Sequence, residues 1–243
     1  MIFDITITEK GGVGKTVVTA LRAQHYLERG SRIIGIDTDP SNPGFSTYTG
    51  LPVQILPICE EGTNKIVPRK FDELVSMSET ADADYMVVDV GTSNMLGLLD
   101  YLTENSTVEL LGEMGHTVRF HSVIRGASDL KETLGQFATL CEAWPEVAKV
   151  VWLNSQIGPI QYEGKSFEDL PVYSRYIGQI HGIIKIPFLD QTTFGADFAR
   201  LLTRRETFAQ ALDLQASTWP IVQRHRLKKI WKDLNDQMSQ ANL

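Results

Sequence analysis

At 243 residues, with 42% hydrophobic and 22% charged side chains and a formal net charge of −7, the chain is long enough to bury the core of one large α/β domain. Its mild acidity argues against a surface that binds nucleic acid over its whole extent. The two cysteines, Cys59 and Cys141, lie far apart without metal-ligand spacing, which suits a reducing compartment and no disulfide framework.

Residues 2–8 place Ile2, Ile5 and Ile7 among Thr and Phe and read as a central strand. No basic leader or cleavage site precedes it, and no apolar run approaches the ~20 residues that span a bilayer, so a cytoplasmic protein is expected. Next comes Glu9-Lys10-Gly11-Gly12-Val13-Gly14-Lys15-Thr16, which has the composition of a phosphate-binding loop. Three glycines let the backbone turn tightly and aim N–H groups inward, and a helix beginning near Gly14 adds the positive end of its dipole. Lys15 then reaches β- and γ-phosphates, and the Thr16 hydroxyl suits a magnesium ion bridging them.

The common pattern G-x-x-x-x-G-K-[ST] fails at Glu9, whereas K-G-G-x-G-K-T fits without exception. A dinucleotide-binding loop would require Gly at position 17, where Val17 stands, and has no use for Lys15 followed by Thr16. A merely structural glycine turn does not account for seven consecutive matches between a strand and a helix.

A helical period runs over 15–29 through Val18, Leu21, His25 and Leu27, with Gly30 as its stop. A second strand, 32–37, ends in Asp37-Thr38-Asp39-Pro40-Ser41-Asn42, at the sheet edge where doubly wound folds bind ligands. Asp37 and Asp39 also suit helix capping, but their place opposite a phosphate loop favours a functional role. A short strand, 53–58, leads to a helix with Pro68 at its first position and apolar Phe71, Leu74 and Val75. Residues 85–90 form the next strand, whose four apolar residues end in Asp89, the form of a Walker B strand holding magnesium through water; Gly91 follows within reach of a γ-phosphate.

The segment 94–114 reads as mainly helical, 118–124 as strand, 130–141 as helix, 147–154 as strand and 181–186 as the last strand before Pro187. Two or three helices finish the chain. Alternating strands and helices predict a doubly wound, mostly parallel sheet of about seven strands with helices on both faces. A single domain, 1–243, is expected, with a terminal helix at about 218–240 packed on it. That helix sets Leu227, Ile230, Trp231, Leu234 and Met238 on one stripe, with Arg226, Lys228, Lys229 and Lys232 largely opposite. Docking on the core with a solvated basic face is the simplest reading; phosphate contact with DNA or attachment to a membrane surface lacks supporting context. His116 and His121 read as loop or core histidines, because five residues apart along a strand they take opposite faces. The loop 155–169 suits a surface connection and a protein contact equally.

With KGGVGKT at 10–16, DTDP at 37–40 and the strand ending in Asp89, the chain resembles the ParA/MinD group of deviant Walker-A ATPases. EMGHTVRFHSVIRG at 113–126, VVWLN at 150–154, GPIQYEGKSFE at 158–168 and IPFLDQTTFGADF at 186–198 are similar to plasmid conjugal-transfer proteins. The resemblance implies ATP and Mg2+ as ligands, a homodimer with nucleotide sandwiched between subunits, slow hydrolysis used as a timer, and other transfer proteins as partners. It assigns Gly11, Gly12, Val13, Gly14, Lys15, Thr16 and Val17 to the phosphates, with Lys10 reaching the partner subunit's nucleotide. Thr16, Asp37 and Asp89 would form the metal environment, and Asp39 would position or activate water. Asn154, with the backbone at Pro187 and Phe188, would contact adenine. Two departures stand out: Val90-Gly91-Thr92-Ser93 replaces a proline-containing run, and Ser41 follows Pro40 where glutamine is common. A metabolic ligase of the same loop class, or an adaptor that binds nucleotide without hydrolysing it, are the competing functions.

Overall fold

Alternation along the strands decides which layer each side chain enters. In β1 (Ile2–Thr6), Phe3 and Ile5 join one core, while Asp4 and Thr6 turn to the opposite face. The other strands are β2 (Ile33–Asp37), β3 (Val53–Ile55), β4 (Tyr85–Asp89), β5 (Thr117–Arg125), β6 (Ala148–Asn154), a small hairpin of β7 (Gln161–Tyr162) and β8 (Lys165–Ser166), and β9 (Ile180–Ile186). This computed structural model describes residues 1–39, 42–58, 60, 67, 69–92 and 95–243, with the backbone alone at Leu96. Pro40, Ser41, Cys59, Pro68 and Ser93, named above, lie outside the described residues.

Seven strands form one sheet in the order β3-β2-β4-β1-β5-β6-β9, and every pairing in it is parallel. The helices are α1 (Lys15–Glu28), α2 (Arg69–Thr80), α3 (Met95–Glu104), α4 (Thr107–Glu113), α5 (Leu130–Ala143), α6 (Pro171–Tyr176), α7 (Phe194–Thr203), α8 (Phe208–Leu212) and α9 (Ile221–Gln240). α1 and α7 to α9 pack one face around Val150, Trp152 and Ile184. α2 to α6 pack the other, around Phe3, Met86 and Phe120 and around Val151 and Leu153. Both faces are therefore covered, as a parallel sheet requires. Full burial of an aromatic such as Trp152 contributes roughly 2–3 kcal/mol.

Gly30 ends α1 as expected: at φ +79° its N–H bonds to Leu27 O, and Ser31 N bonds to Tyr26 O, the paired bonds of a left-handed helix stop. Two spans differ from the sequence reading. β3 stops at Ile55: Leu56 N still bonds to Asp37 O at 2.9 Å, and beyond it the chain leaves the edge as Leu56 and Ile58 bury with Phe71 and Leu74 of α2. The helical run at 94–114 divides into α3 and α4 at Ser106, whose φ is +46°. On α9 the stripe Leu227, Ile230, Trp231, Leu234 and Met238 is buried. Arg226 is not part of a solvated face: its guanidinium lies 2.8 Å from Asp197, drawn back to the core by a carboxylate on α7. No helix among the described residues is long and apolar enough to cross a membrane.

The polar face of β1 carries a buried charge network. Arg119 donates to both Asp4 carboxylate oxygens at 2.8 and 2.9 Å, and the Tyr26 hydroxyl donates to Asp4 as well. Arg22 on α1 donates to Asp4 O and Thr6 Oγ1, both at 3.1 Å. His121 Nε2 stands 3.1 Å from Asp4 Oδ1, while its Nδ1 accepts from Trp152 Nε1 at 3.0 Å. The latter bond places the imidazole proton on Nε2, facing the carboxylate. His116 precedes β5, with Nδ1 3.4 Å from the Met1 amine.

Candidate nucleotide site

β1 delivers the chain to the carboxyl edge of the sheet, where 9–14 bend into α1. Gly12 and Gly14 have φ of +73° and +107°, and a Cβ on Gly14 would lie 2.9 Å from Asn154 Nδ2. Gly14 caps α1 without a side-chain acceptor, so the first-turn N–H groups of Lys15, Thr16 and Val17 remain available to an anion. All three residues line one cleft of about 280 Å3 with Gly12, Gly14, Asp37, Asp39, Asn42, Asp89, Val90, Gly91, Thr92 and Arg205. Its size suits a polyphosphate with its metal more than an entire nucleotide.

The loop is braced from behind. Asn154 Nδ2 donates to Val13 O at 2.8 Å, and Arg125 Nη1 donates to Gly12 O at 2.7 Å. Asn154 Oδ1 also accepts from Gln156 N at 3.1 Å. Both ends of this buried amide are therefore engaged, and Asn154→Ala is expected to lower stability by about 1–3 kcal/mol. Urea unfolding measures it, and a loss below ~0.5 kcal/mol would show that the loop holds its shape unaided.

Acidic groups face the loop because β1, β2 and β4 end in register. Asp37 pairs with Asp89, and Asp89 with Thr6. Thr16 Oγ1 donates to Asp89 Oδ2 at 2.7 Å, and Thr19 Oγ1, one turn further along α1, donates to Oδ1 at 3.1 Å. Burial pushes the Asp89 carboxyl up to about 6; the nearby Asp37 charge adds to this, while the two hydroxyls and Lys15 oppose it. Asp37 accepts from Gly44 N at 3.1 Å and from Ser46 N and Oγ at 2.9 and 3.0 Å. It thereby folds the 44–46 turn against Thr16. Asp39 accepts from Asn42 N at 3.0 Å and packs on Gly91, where a Cβ would meet its Oδ2 at 2.8 Å.

Lys15 Nζ donates to Lys10 O at 3.1 Å and Thr92 Oγ1 at 2.8 Å. Burial pulls its pKa down, against the attraction of Asp89 and Asp39, so the ammonium is held ready for a compensating anion. No group of three His, Cys, Asp or Glu among the described residues is arranged to hold a metal by itself. The donor set at hand, one hydroxyl and flanking carboxylates, matches magnesium, which keeps several waters and shares phosphate oxygens.

Not every candidate residue joins the cleft. Lys10 Nζ lies 2.9 Å from Glu132 Oε2 on α5, Gly11 is exposed at the loop tip and Val13 is buried beneath it. Asn154 stands behind the loop, and Pro187 and Phe188 follow β9 outside the cleft lining, with Phe188 63% exposed. Conversely, the roles of Thr19, Arg125 and Arg205 were not read from the sequence. Thr19 was legible as the residue one helical turn beyond Thr16, whereas Arg205 carried no signal.

A family model described as the CobQ/CobB/MinD/ParA nucleotide-binding domain matches residues 5–170. The chain belongs to this CobQ/CobB/MinD/ParA family. Two Escherichia coli proteins named TraL are 41% and 40% identical to it over 233 residues, covering 96% of this chain and 95% of each relative. Among solved structures, the MinD cell division protein of Aquifex aeolicus has a TM-score of 0.55 at 16% identity, covering 96% of this chain and 97% of its own. The septum site-determining protein MinD of Pyrococcus horikoshii, complexed with Mg-ADP, gives 0.52 at 17%, covering 99% of both chains. These likenesses establish the MinD-like P-loop fold.

Proposed function

We propose that the protein is an ATP- and magnesium-dependent dimeric switch that hydrolyses ATP slowly and acts in the cytoplasm in plasmid conjugative transfer. The observation that carries this is the convergence, in one cleft, of Lys15, the Thr16–Asp89 pair, Asp37 and Asp39 beside the unpaired amides of α1. The similarity to the TraL proteins supports the transfer setting and transfer-protein partners. In this reading the loop amides and Lys15 hold the phosphates. Thr16 would ligate magnesium directly, with Asp37 and Asp89 holding it through water. The metal supplies charge neutralisation at the phosphate oxygens. Asp39, fixed by Asn42 N and Gly91, orients the attacking water, since phosphoryl transfer asks chiefly for positioning and charge stabilisation. Adenine lies toward Pro187 and Phe188, and Asn154 braces the loop it rests on.

Lys10 sets the switch. Its pair with Glu132 is half-buried at the lysine and exposed at the glutamate, a surface contact for which water competes, so it yields readily to a partner subunit's phosphates. Sedimentation equilibrium with and without Mg-ATP tests this directly. The wild type should shift from monomer to dimer, and Lys10→Ala should bind the nucleotide but dimerise about tenfold less tightly or worse. A wild type whose mass is indifferent to ATP would sink the proposal.

A further inference from the structure

The geometry points to Arg205 as an anion-binding residue that contacts the phosphate chain of the bound nucleotide from the α7–α8 loop; this rests on the nucleotide reading above. Arg205 is remote in sequence from the glycine loop, yet lines the same cleft as Lys15, Asp37, Asp39 and Asp89.

Its backbone supplies the first reason. α7 ends at Thr203, and Arg205 occupies the left-handed position after the cap with φ +54°. Arg205 N bonds to Leu202 O at 3.2 Å, and Glu206 N bonds to Leu201 O at 3.4 Å. This is the same helix stop that closes α1, where the position is taken by Gly30. Glycine is the unstrained choice there, because a Cβ disfavours positive φ. An arginine in that place needs a use for its side chain.

Its surroundings supply the second. The guanidinium lies 5.6 Å from the ring centroid of Tyr48, a ring locked in the core. No carboxylate among the described residues forms an ion pair with Arg205, although three line the cleft. Arg204, its neighbour, is by contrast occupied: it stacks on Trp219 at 5.0 Å and lies 3.4 Å from Glu206. The donors of Arg205 are thus positioned on an aromatic platform without a protein anion to satisfy them. Arginine in this state is suited to a phosphate, which its fork of N–H groups matches. Lys15 and Arg205 are the two cationic side chains among the described lining residues, set against three carboxylates, so the second positive charge matters to any polyphosphate entering there.

Arg205→Gly separates ligand binding from folding, because it removes the side chain while relieving the backbone. Without nucleotide, its melting temperature should equal or exceed that of the wild type. Its affinity for Mg-ATP, measured by titration calorimetry, should fall about tenfold. Arg205→Lys should lose less, the affinity of Arg204→Ala should match the wild type, and Arg205→Gly should show a shallower fall of affinity with salt. Unchanged Mg-ATP affinity in Arg205→Gly, with a wild type that binds, overturns this inference alone. So does an affinity loss accompanied by reduced stability of the nucleotide-free variant, which would assign Arg205 to packing. A wild type that ignores Mg-ATP removes the nucleotide reading and this inference with it.

Discussion

Lys15→Ala is expected to weaken binding of Mg-ATP by about 100-fold or more, on the order of 3 kcal/mol, while the protein stays folded. The buried ammonium has two neutral acceptors, Lys10 O and Thr92 Oγ1, neither of which carries charge. A phosphate offers far more to it than these do, and in a partly water-excluded cleft that difference is large. Loss of the ammonium also leaves Asp37, Asp39 and Asp89 facing an anionic ligand with one fewer cation between them. In the empty protein, however, the burial penalty of Lys15 disappears with it, so the melting temperature should change little. Calorimetric titration together with a thermal melt checks both halves. Retention of affinity within about threefold would mean that the cleft does not grip phosphate as described.

The largest effect on stability is expected at Asp4. Asp4→Asn removes the only carboxylate in the described network of Arg22, Arg119 and His121, leaving two buried guanidinium groups without a counter-charge. Such a loss costs about 3–5 kcal/mol. Arg22 has little reserve, because its Nε and Nη1 are already buried without hydrogen-bond partners. Chemical denaturation of Asp4→Asn against the wild type measures the loss, and a change below ~1 kcal/mol would show that water or local rearrangement compensates.

The same network gives stability an acid limb. Burial pushes His121 down from its ordinary value to about 3, with the Arg22 charge acting in the same direction against the pull of Asp4. Burial alone would raise the Asp4 carboxyl, but His121, Arg22 and Arg119 outweigh it and hold the group well below the usual carboxylate range. Both folded-state values are depressed, so both contributions are present at neutral pH and are lost on acidification. His121 acts first: below about 6.5 the unfolded chain takes up a proton that the native imidazole refuses until about pH 3. Stability should fall by roughly 1.4 kcal/mol per pH unit across that window. His121→Asn should flatten the slope between pH 6.5 and 4 in thermal melts; an unaltered slope would remove His121 as its source.

How far the site could be read in advance depended on how local each part is. The loop from Lys10 to Thr16 is contiguous, and its glycines, lysine and threonine answer requirements set by backbone turning and by phosphate chemistry. Asp37 and Asp89 were legible for a related reason: each is the polar end of an apolar strand, and parallel strands in register bring such ends to one edge. The helix stop at Gly30 followed from the same kind of short-range rule. The shortened β3 was not legible, because apolar Leu56 and Ile58 continue past it and only packing against α2 decides that they leave the ladder. The break at Ser106, by contrast, falls in the polar run Thr103-Glu104-Asn105-Ser106-Thr107, a turn signal that the sequence did carry.

Tertiary structure alone decided the attachments between distant segments. Asn154 was legible as a polar residue at a strand end, but that it supports Val13 O from behind the loop depends on how closely β6 approaches 12–14. Lys10 resting on Glu132 and Arg205 entering the cleft are likewise products of helix placement. By itself the sequence determined a glycine-rich bend of the P-loop type on a parallel α/β sheet, since periodicity and a seven-residue motif act over a few bonds. Which remote charges come to line or flank that bend is decided only by the folded chain, because side chains separated by over a hundred residues meet through layer packing, and no local pattern records the meeting.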